Sequence, residues 1–142
     1  MKIFKSVSRL ALLTSIIFTA TAYAEVAVIV SAANGNSALD GNTISRIFLG
    51  KTSKFPDGSQ AIPVDQNEGS ATRDAFNDQV LGKSASQLKA YWSRLIFTGK
   101  GTPPKESGND ADIKNLVAQN PNLIGYVDTS VVDESVKVVH KF

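Results

Sequence analysis

The segment Glu68–Asp74, written EGSATRD, groups residue types that can hold a small anion. Gly69 leaves its backbone amide open to a ligand, Ser70 and Thr72 each offer a hydroxyl donor, and Arg73 adds a positive charge. If a helix begins here, its first turn also presents unpaired N–H groups and a partial positive charge. Phosphate and sulfate bind at helix N-termini for these reasons. Local sequence alone favours the simpler interpretation of the same residues, an ordinary helix cap in which Ser70 accepts a backbone hydrogen bond and Arg73 faces water.

The sequence offers little else for catalysis or metal binding. It has no cysteine and a single histidine near its C-terminus, and Ser70 lacks the G-x-S-x-G context of a hydrolase nucleophile. Asp110 and Asp112 lack the further carboxylates of a calcium loop, and a helix start explains them. We therefore predict no catalytic residue, no metal site, no cofactor and no enzymatic activity. An enzyme built on Asp65 and Glu68 is the weakest alternative.

The first 24 residues have the pattern of a secretory signal peptide. An uncharged apolar run over residues 10–20 is followed by Ala22–Ala24, which suits cleavage after Ala24. This run is shorter than the ~20 residues that a membrane-spanning helix needs, so an uncleaved anchor is the lesser alternative. We predict a signal peptide over residues 1–24 and one periplasmic domain over residues 25–142.

Removal of this leader changes the charge of the chain. The full sequence has 15 basic and 13 acidic residues, and three of the basic ones lie in the leader. The mature chain thus has 12 basic and 13 acidic residues, a net charge of −1. This balance argues against a nucleic-acid partner. The absence of cysteine excludes a disulfide scaffold.

The elements that must position this segment follow from hydrophobic periodicity. Short β-branched runs predict four strands, and apolar residues at helical spacing predict four helices. A helix is expected from Ala71 to Leu81, capped by Ser70 and ended by Gly82. The order strand, helix, strand, three helices, strand, strand is typical of an α/β sheet with helices on its faces. The strongest helical stripe is formed by Leu88, Tyr91, Trp92, Leu95 and Ile96.

Several ordered segments resemble the phosphate-type periplasmic substrate-binding proteins of bacterial ABC importers, and more closely their short single-lobe relatives. Each segment is a weak signal alone, but their order is fairly specific and covers nearly all of residues 26–127. The segments are ISRIFLGK (44–51), FPDGSQAIPV (55–64), GSAT (69–72) with Arg73 and Phe76, YW (91–92), FTGKGTPP (97–104) and LIGYV (123–127).

The resemblance implies both a fold and a site. The fold is a single lobe of the type II periplasmic-binding-protein-like class, an α/β structure with a mixed sheet flanked by helices. By analogy with the family, Ser70 and Thr72 donate hydrogen bonds to a phosphate-like oxyanion, with Gly69, Ala71 and Arg73 in the same ligand-binding segment. A membrane transporter is the partner that the resemblance implies.

The chain departs from the family pattern in ways that leave a second hypothesis open. Ala71 replaces the second glycine of the motif, and Gln66 lies where the family has its phosphate-binding arginine. Arg73 must therefore turn toward the site to replace that arginine. The family binds its ligand between two lobes, and a homodimer could close the cleft here. The alternative is a ligand-free protein-interaction or envelope-assembly module derived from this fold.

Overall fold

The structure is a computed structural model that describes residues 16–17 and 25–142. The predicted signal peptide lies outside the described residues. Within the described part of the chain, no helix has the length and hydropathy needed to cross a membrane. The strands are β1 (Val26–Ser31), β2 (Ile62–Asp65), β3 (Lys105–Glu106), β4 (Leu123–Asp128) and β5 (Val136–Lys141). The helices are α1 (Gly41–Phe48), α2 (Ala71–Phe76), α3 (Ala85–Phe97) and α4 (Asp110–Ala118).

The five strands form one mixed sheet in the order β3-β2-β4-β1-β5. Strand β2 runs parallel to both β3 and β4, whereas β1 runs antiparallel to both β4 and β5. The predicted α/β class with a mixed sheet flanked by helices is therefore confirmed. The two-residue strand β3 was not predicted, since it is too short to show periodicity.

The central strand β1 is buried along its whole length because helices cover both faces of the sheet. Alternate residues of a strand point to opposite faces. Val28 and Val30 pack with Ile44, Phe76 and other residues on the α1 and α2 side. The residues that pack on the α4 side include Ala27, Ile29, Ile113, Val117 and Val127.

Helix α2 begins where the sequence predicts. Ser70 is its N-cap, and its hydroxyl accepts a hydrogen bond from the Arg73 backbone amide. Gly69 precedes the cap with a φ of 89°, a left-handed conformation that favours glycine. The helix continues directly into a π-helical turn over Asn77–Leu81 and ends at Gly82. The predicted helix over residues 71–81 is thus present, with a wider last turn.

Helix α3 is held more loosely than its apolar stripe predicts. Leu88 is its only buried residue, and Ile96 at the other end of the stripe is 54% exposed. The Tyr91 hydroxyl donates to the Leu49 carbonyl at 2.7 Å. The Trp92 ring lies beside Gly50, where an added Cβ would come within 3.3 Å of it. The helix therefore contacts the end of α1 with one side and leaves the other side open.

Candidate anion-binding site

The predicted segment lies at the carboxyl ends of three neighbouring strands. Strands β2, β3 and β4 run in the same direction and end at Asp65, Glu106 and Asp128. In open α/β sheets, ligands bind in the crevice outside the carboxyl ends of parallel strands. The start of α2 reaches this edge directly after β2. The topology therefore places EGSATRD where this class of fold binds small molecules.

Gln66 connects the cap of α2 to the sheet. The Ser70 hydroxyl accepts from the Arg73 amide at 3.2 Å and donates to Gln66 Oε1 at 2.5 Å. Gln66 is only 1% exposed, and its Nε2 donates to the Tyr126 carbonyl at 3.0 Å. Both hydrogen-bonding roles of the Ser70 hydroxyl are thus filled within the protein.

The carboxylate of Asp110 lies beside the first turn of α2 and accepts hydrogen bonds from three separate elements. Its Oδ1 accepts from Gln66 Nε2 at 2.7 Å and from the Asp128 amide at 2.9 Å. Its Oδ2 accepts from the Thr72 hydroxyl at 3.4 Å. Since a carboxylate is itself an oxyanion, these donors form a built environment for an anionic oxygen group. Thr72, which is 5% exposed, already donates to that group.

Arg73 turns back over the start of its own helix instead of facing water. Its Nη1 donates to the Gln66 carbonyl at 2.9 Å and pairs with Glu106 Oε1. Its Nη2 lies 3.5 Å from Asp65 Oδ2. The guanidinium therefore lies over the Gln66 carbonyl at the start of α2. It is also held between two carboxylates.

Tyr126 and Asp65 form the buried floor of this cluster. The Tyr126 hydroxyl donates a hydrogen bond to Asp65 Oδ1. Burial raises the pKa of Asp65 above its usual value, an effect that the Tyr126 hydroxyl and the Arg73 charge oppose. Burial, together with the Asp65 charge, raises the pKa of Tyr126. Tyr126 therefore keeps its proton and acts as a fixed donor.

A groove of about 570 Å³ opens between the start of α2 and helix α3. Of the five predicted ligand-binding residues, Gly69 and Arg73 line this groove. The hydroxyls of Ser70 and Thr72 point to the polar cluster beneath it, and Ala71 is exposed. The predicted residues are thus adjacent, but they divide between an open surface and a buried network. In residues 16–17 and 25–142, no three His, Asp or Glu side chains group as metal ligands.

Sequence reasoning missed the parts of the site that lie far apart in the chain. The sequence alone indicates Asp110 only as part of a helix start, yet its carboxylate contacts Thr72 and Gln66, 38 and 44 residues away. Its neighbour Asp112 does close a capping box with Asn109, as that interpretation predicts. Gln66 was noted only for the arginine it replaces. No local pattern could have indicated these contacts.

Comparison with known proteins adds a likeness of fold. The sequence matches no protein-family model and no curated protein. Among solved structures, the chain is 29% identical to a protein from Clostridium perfringens, described as a phosphate ABC transporter substrate-binding protein with bound phosphate. That match has a TM-score of 0.66 and covers 82% of this chain. The chain resembles the phosphate-type substrate-binding proteins.

Two more distant structures share the fold. An ABC-type phosphate transport receptor from Vibrio cholerae matches with a TM-score of 0.64 at 20% identity, over 83% of this chain. PstS from Borrelia burgdorferi matches with a TM-score of 0.59 at 10% identity, over 84%. The chain spans 45%, 47% and 48% of these three structures in turn, which is less than half of each.

Proposed function

We propose that the chain is a solute-binding-type module that binds phosphate, or a related oxyanion that keeps a proton, at the start of α2. The ligand binds at Gly69, Ser70, Ala71, Thr72 and Arg73, through backbone amides, the two hydroxyls and the guanidinium. The proposal includes export to the periplasm through a cleaved signal peptide over residues 1–24. It also includes delivery of the ligand to an ABC transporter. These two parts rest on the leader pattern and on the transport proteins that share the fold.

The carboxylate of Asp110 is the observation that carries this proposal. Donors from Gln66, Thr72 and the Asp128 amide converge on it, so this edge of the sheet presents three hydrogen-bond donors to an oxygen-bearing group. Arg73 adds a guanidinium that faces the adjoining groove. A ligand in the groove lies beside these donors, and it reaches the Ser70 and Thr72 hydroxyls by replacing Gln66 Oε1 and the Asp110 carboxylate as their acceptors.

The carboxylates around the groove favour an anion that carries a proton. Four carboxylates line the groove with only two cations, Arg73 and Lys89; the carboxylates are those of Asp65, Glu68, Asp74 and Glu106. A fully ionised anion is repelled by these groups, whereas a P–O–H group can donate a hydrogen bond to one of them. Phosphate keeps a proton near neutral pH and sulfate does not. We therefore expect the protein to prefer phosphate to sulfate.

Calorimetry at pH 7 with phosphate and with sulfate tests this proposal. Two charge-assisted hydrogen bonds of about 1.5–3 kcal/mol each correspond to a Kd of roughly 0.05–5 mM. We expect phosphate to give a saturable signal in this range and sulfate to give none. No signal from phosphate at several times the upper value, or equal signals from both anions, would contradict the proposal.

Variants of two helix caps locate the signal. Ser70→Ala combined with Thr72→Val removes both hydroxyls and should weaken phosphate binding at least ~10-fold, the loss of about 1.4 kcal/mol. Ser84→Ala is the matched control, because Ser84 caps α3 at the same 3.2 Å distance as Ser70 caps α2. It should leave binding unchanged. Thermal unfolding of each variant checks that the protein is folded.

The second candidate is a protein-interaction or envelope-assembly module that needs no ligand. Within the described residues, every buried side-chain nitrogen and oxygen has a hydrogen-bond partner, so the polar cluster is complete without a bound anion. Capture of partners from a periplasmic extract distinguishes the two functions. A specific partner that still binds the Ser70→Ala, Thr72→Val variant, together with absent phosphate binding, favours this candidate.

A further inference from the structure

Residues 82–105, which we call the arm, carry a charge unlike that of the rest of the protein. The arm comprises α3, the loops on either side of it and Lys105, the first residue of β3. It contains no acidic residue and five basic ones: Lys83, Lys89, Arg94, Lys100 and Lys105. The remainder of residues 25–142, which we call the body, has seven basic and 13 acidic residues. The arm thus has a charge of +5 and the body a charge of −6.

The arm is anchored at its base and unpartnered at its tip. Leu88, Tyr91 and Trp92 hold its base against the body. At the tip, Ile96 is 54% exposed and Phe97 is 92% exposed. In the part of the chain that the structure describes, the ion pairs involve Arg73 and Lys114 and none of the basic groups of the arm. A large exposed apolar pair among unpaired cations is typical of an interaction surface.

The groove beside α2 is apolar with an acidic rim, which complements the apolar and basic tip of the arm. Its apolar lining includes Phe76 and Trp92, and its body side carries Glu68, Asp74 and Glu106. Ile96 of the same chain's tip lines one side of the groove, but Phe97 is almost fully exposed and does not fill it. An apolar residue flanked by cations, as Phe97 is by Arg94 and Lys100, matches both features of this groove.

We propose that a second copy of this chain occupies the groove, with the tip of its arm, residues 94–100, over the acidic rim. Each copy has one arm and one groove, so a two-fold dimer in which the two copies exchange arms fills both grooves at once. The groove also contains Gly69 and Arg73. The second copy's Arg94 and Lys100 therefore offset the carboxylates around the anion site and supply its second wall. This last point rests on the proposed function.

Sedimentation velocity of the purified protein, without phosphate, tests the dimer. We expect dimers at tens of micromolar protein and a dimer Kd at least ~10-fold weaker in high salt, because exposed charges are screened. Phe97→Asp should give a monomer with unchanged thermal stability, since the side chain is exposed in the single copy. A monomer at all concentrations, or a dimer that Phe97→Asp leaves intact, would overturn the proposal.

Charge reversal distinguishes this contact from general attraction. One chain carries Arg94→Glu and Lys100→Glu, and another carries Glu68→Lys and Asp74→Lys; all four side chains are exposed. Each chain alone should be monomeric, because the tip of the arm and the rim of the groove then carry charges of the same sign. Mixed together, they should form a heterodimer of near wild-type affinity. Lys51→Glu with Lys54→Glu makes the same change of charge at exposed positions outside the arm and should still dimerise.

The outcomes separate this inference from the proposed function. Phosphate binding by a protein that stays monomeric overturns the inference alone. A dimer that gives no signal with phosphate leaves the inference standing and contradicts the proposed function. A monomer that co-sediments with phosphatidylglycerol vesicles, and loses this binding with Arg94→Glu and Lys100→Glu, shows that the arm binds an anionic membrane surface, which overturns the dimer.

Discussion

Helices α2 and α3 begin with the same chemistry in different surroundings. Ser70 and Ser84 each accept a backbone amide three residues on, at 3.2 Å in both cases. At Ser84 the cap is closed locally, because the Gln87 side chain returns to the Ser84 amide and both residues are exposed. At Ser70 the hydroxyl also donates to the buried Gln66 and so joins a network that extends to Asp110.

This difference shows that a cap becomes a candidate site through residues distant in sequence. A serine before a helix supplies one hydrogen bond wherever it occurs. Only at α2 is that serine placed over the ends of parallel strands, where Asp65 and Asp110 bring charge beneath the helix. The start of α3 serves as an internal reference for the start of α2.

We expect the largest difference in stability between the starts of α2 and α3 when the side chain that supports each cap, Asp110 or Gln87, is removed. Asp110→Ala leaves the Thr72 hydroxyl and one of the two side-chain N–H groups of the buried Gln66 without an acceptor, at a cost of about 2–4 kcal/mol. Gln87→Ala removes the equivalent partner at α3, in solvent, and should cost less than ~1 kcal/mol. Urea unfolding measures both values. Equal losses would mean that the α2 network adds nothing to an ordinary cap.

A second difference concerns the tyrosines near each start. Tyr126→Phe removes a donor from the Asp65 carboxylate, and Tyr91→Phe removes a donor to the Leu49 carbonyl. Each should cost about 1–2 kcal/mol at pH 7. Only the loss for Tyr126→Phe should depend on pH, because Asp65 titrates and a backbone carbonyl does not.

The direction of this pH dependence follows from the pKa of Asp65. Burial raises that pKa in the folded protein above its ordinary value of 3.8, so ionisation of Asp65 disfavours folding. The contribution of Asp65 to stability is full below pH 3.8 and is lost as the pH rises through the folded pKa. Tyr126→Phe raises the pKa of folded Asp65 further, so it lowers the free energy of unfolding more at neutral pH than at acidic pH. Urea unfolding of the wild type and of Tyr126→Phe between pH 3 and pH 8 measures this difference in stability. A difference that does not change with pH would contradict the role given to Asp65.

We expect a smaller difference in stability when the capping serines themselves are replaced. Ser70→Ala should cost about 1–2 kcal/mol, because it also leaves Gln66 Oε1 without its donor. Ser84→Ala should cost about 0.5–1 kcal/mol, the usual effect of an exposed cap. Thermal or urea unfolding of the pair gives the comparison directly. A larger loss at Ser84 would reverse the order that the structure predicts.

The glycines before the two starts should show no difference in stability. Gly69 and Gly82 have φ values of 89° and 61°, and an added Cβ at either meets no atom within 4 Å. Alanine at each should therefore cost about 1–2 kcal/mol from backbone strain alone. Of the two, only Gly69 lines the groove, so only Gly69→Ala should weaken phosphate binding. Unequal stability losses would indicate strain beyond that of the backbone.

The sequence predicts the elements of this fold better than their packing. β-Branched runs and helical spacing correctly indicate β1, β2, β4, β5 and the four helices, because each pattern reflects a local face. They do not show that α3 has an open side, since periodicity identifies an apolar face but not its partner. The exposed Ile96 is the consequence.

The candidate site also has parts that the sequence predicts and parts that only the structure shows. The Ser70 cap and the position of Arg73 follow from residues within one turn of a helix, and both could be predicted. The roles of Gln66 and Asp110 depend on the parallel pairing of β2 with β4 and on α4 packing beside β4. No spacing within the sequence encodes those contacts, so the carboxylate beside the helix start emerged only from the structure.

The most direct test of the site is to follow backbone amide resonances by NMR while phosphate is added, and then to repeat the titration with sulfate. We predict saturable shifts for Gly69–Arg73 and Asp128 with phosphate, no shifts for Ala85–Gln87, and no saturation with sulfate. Shifts of equal size at both helix starts, or none at the start of α2, would contradict a specific anion site on this protein.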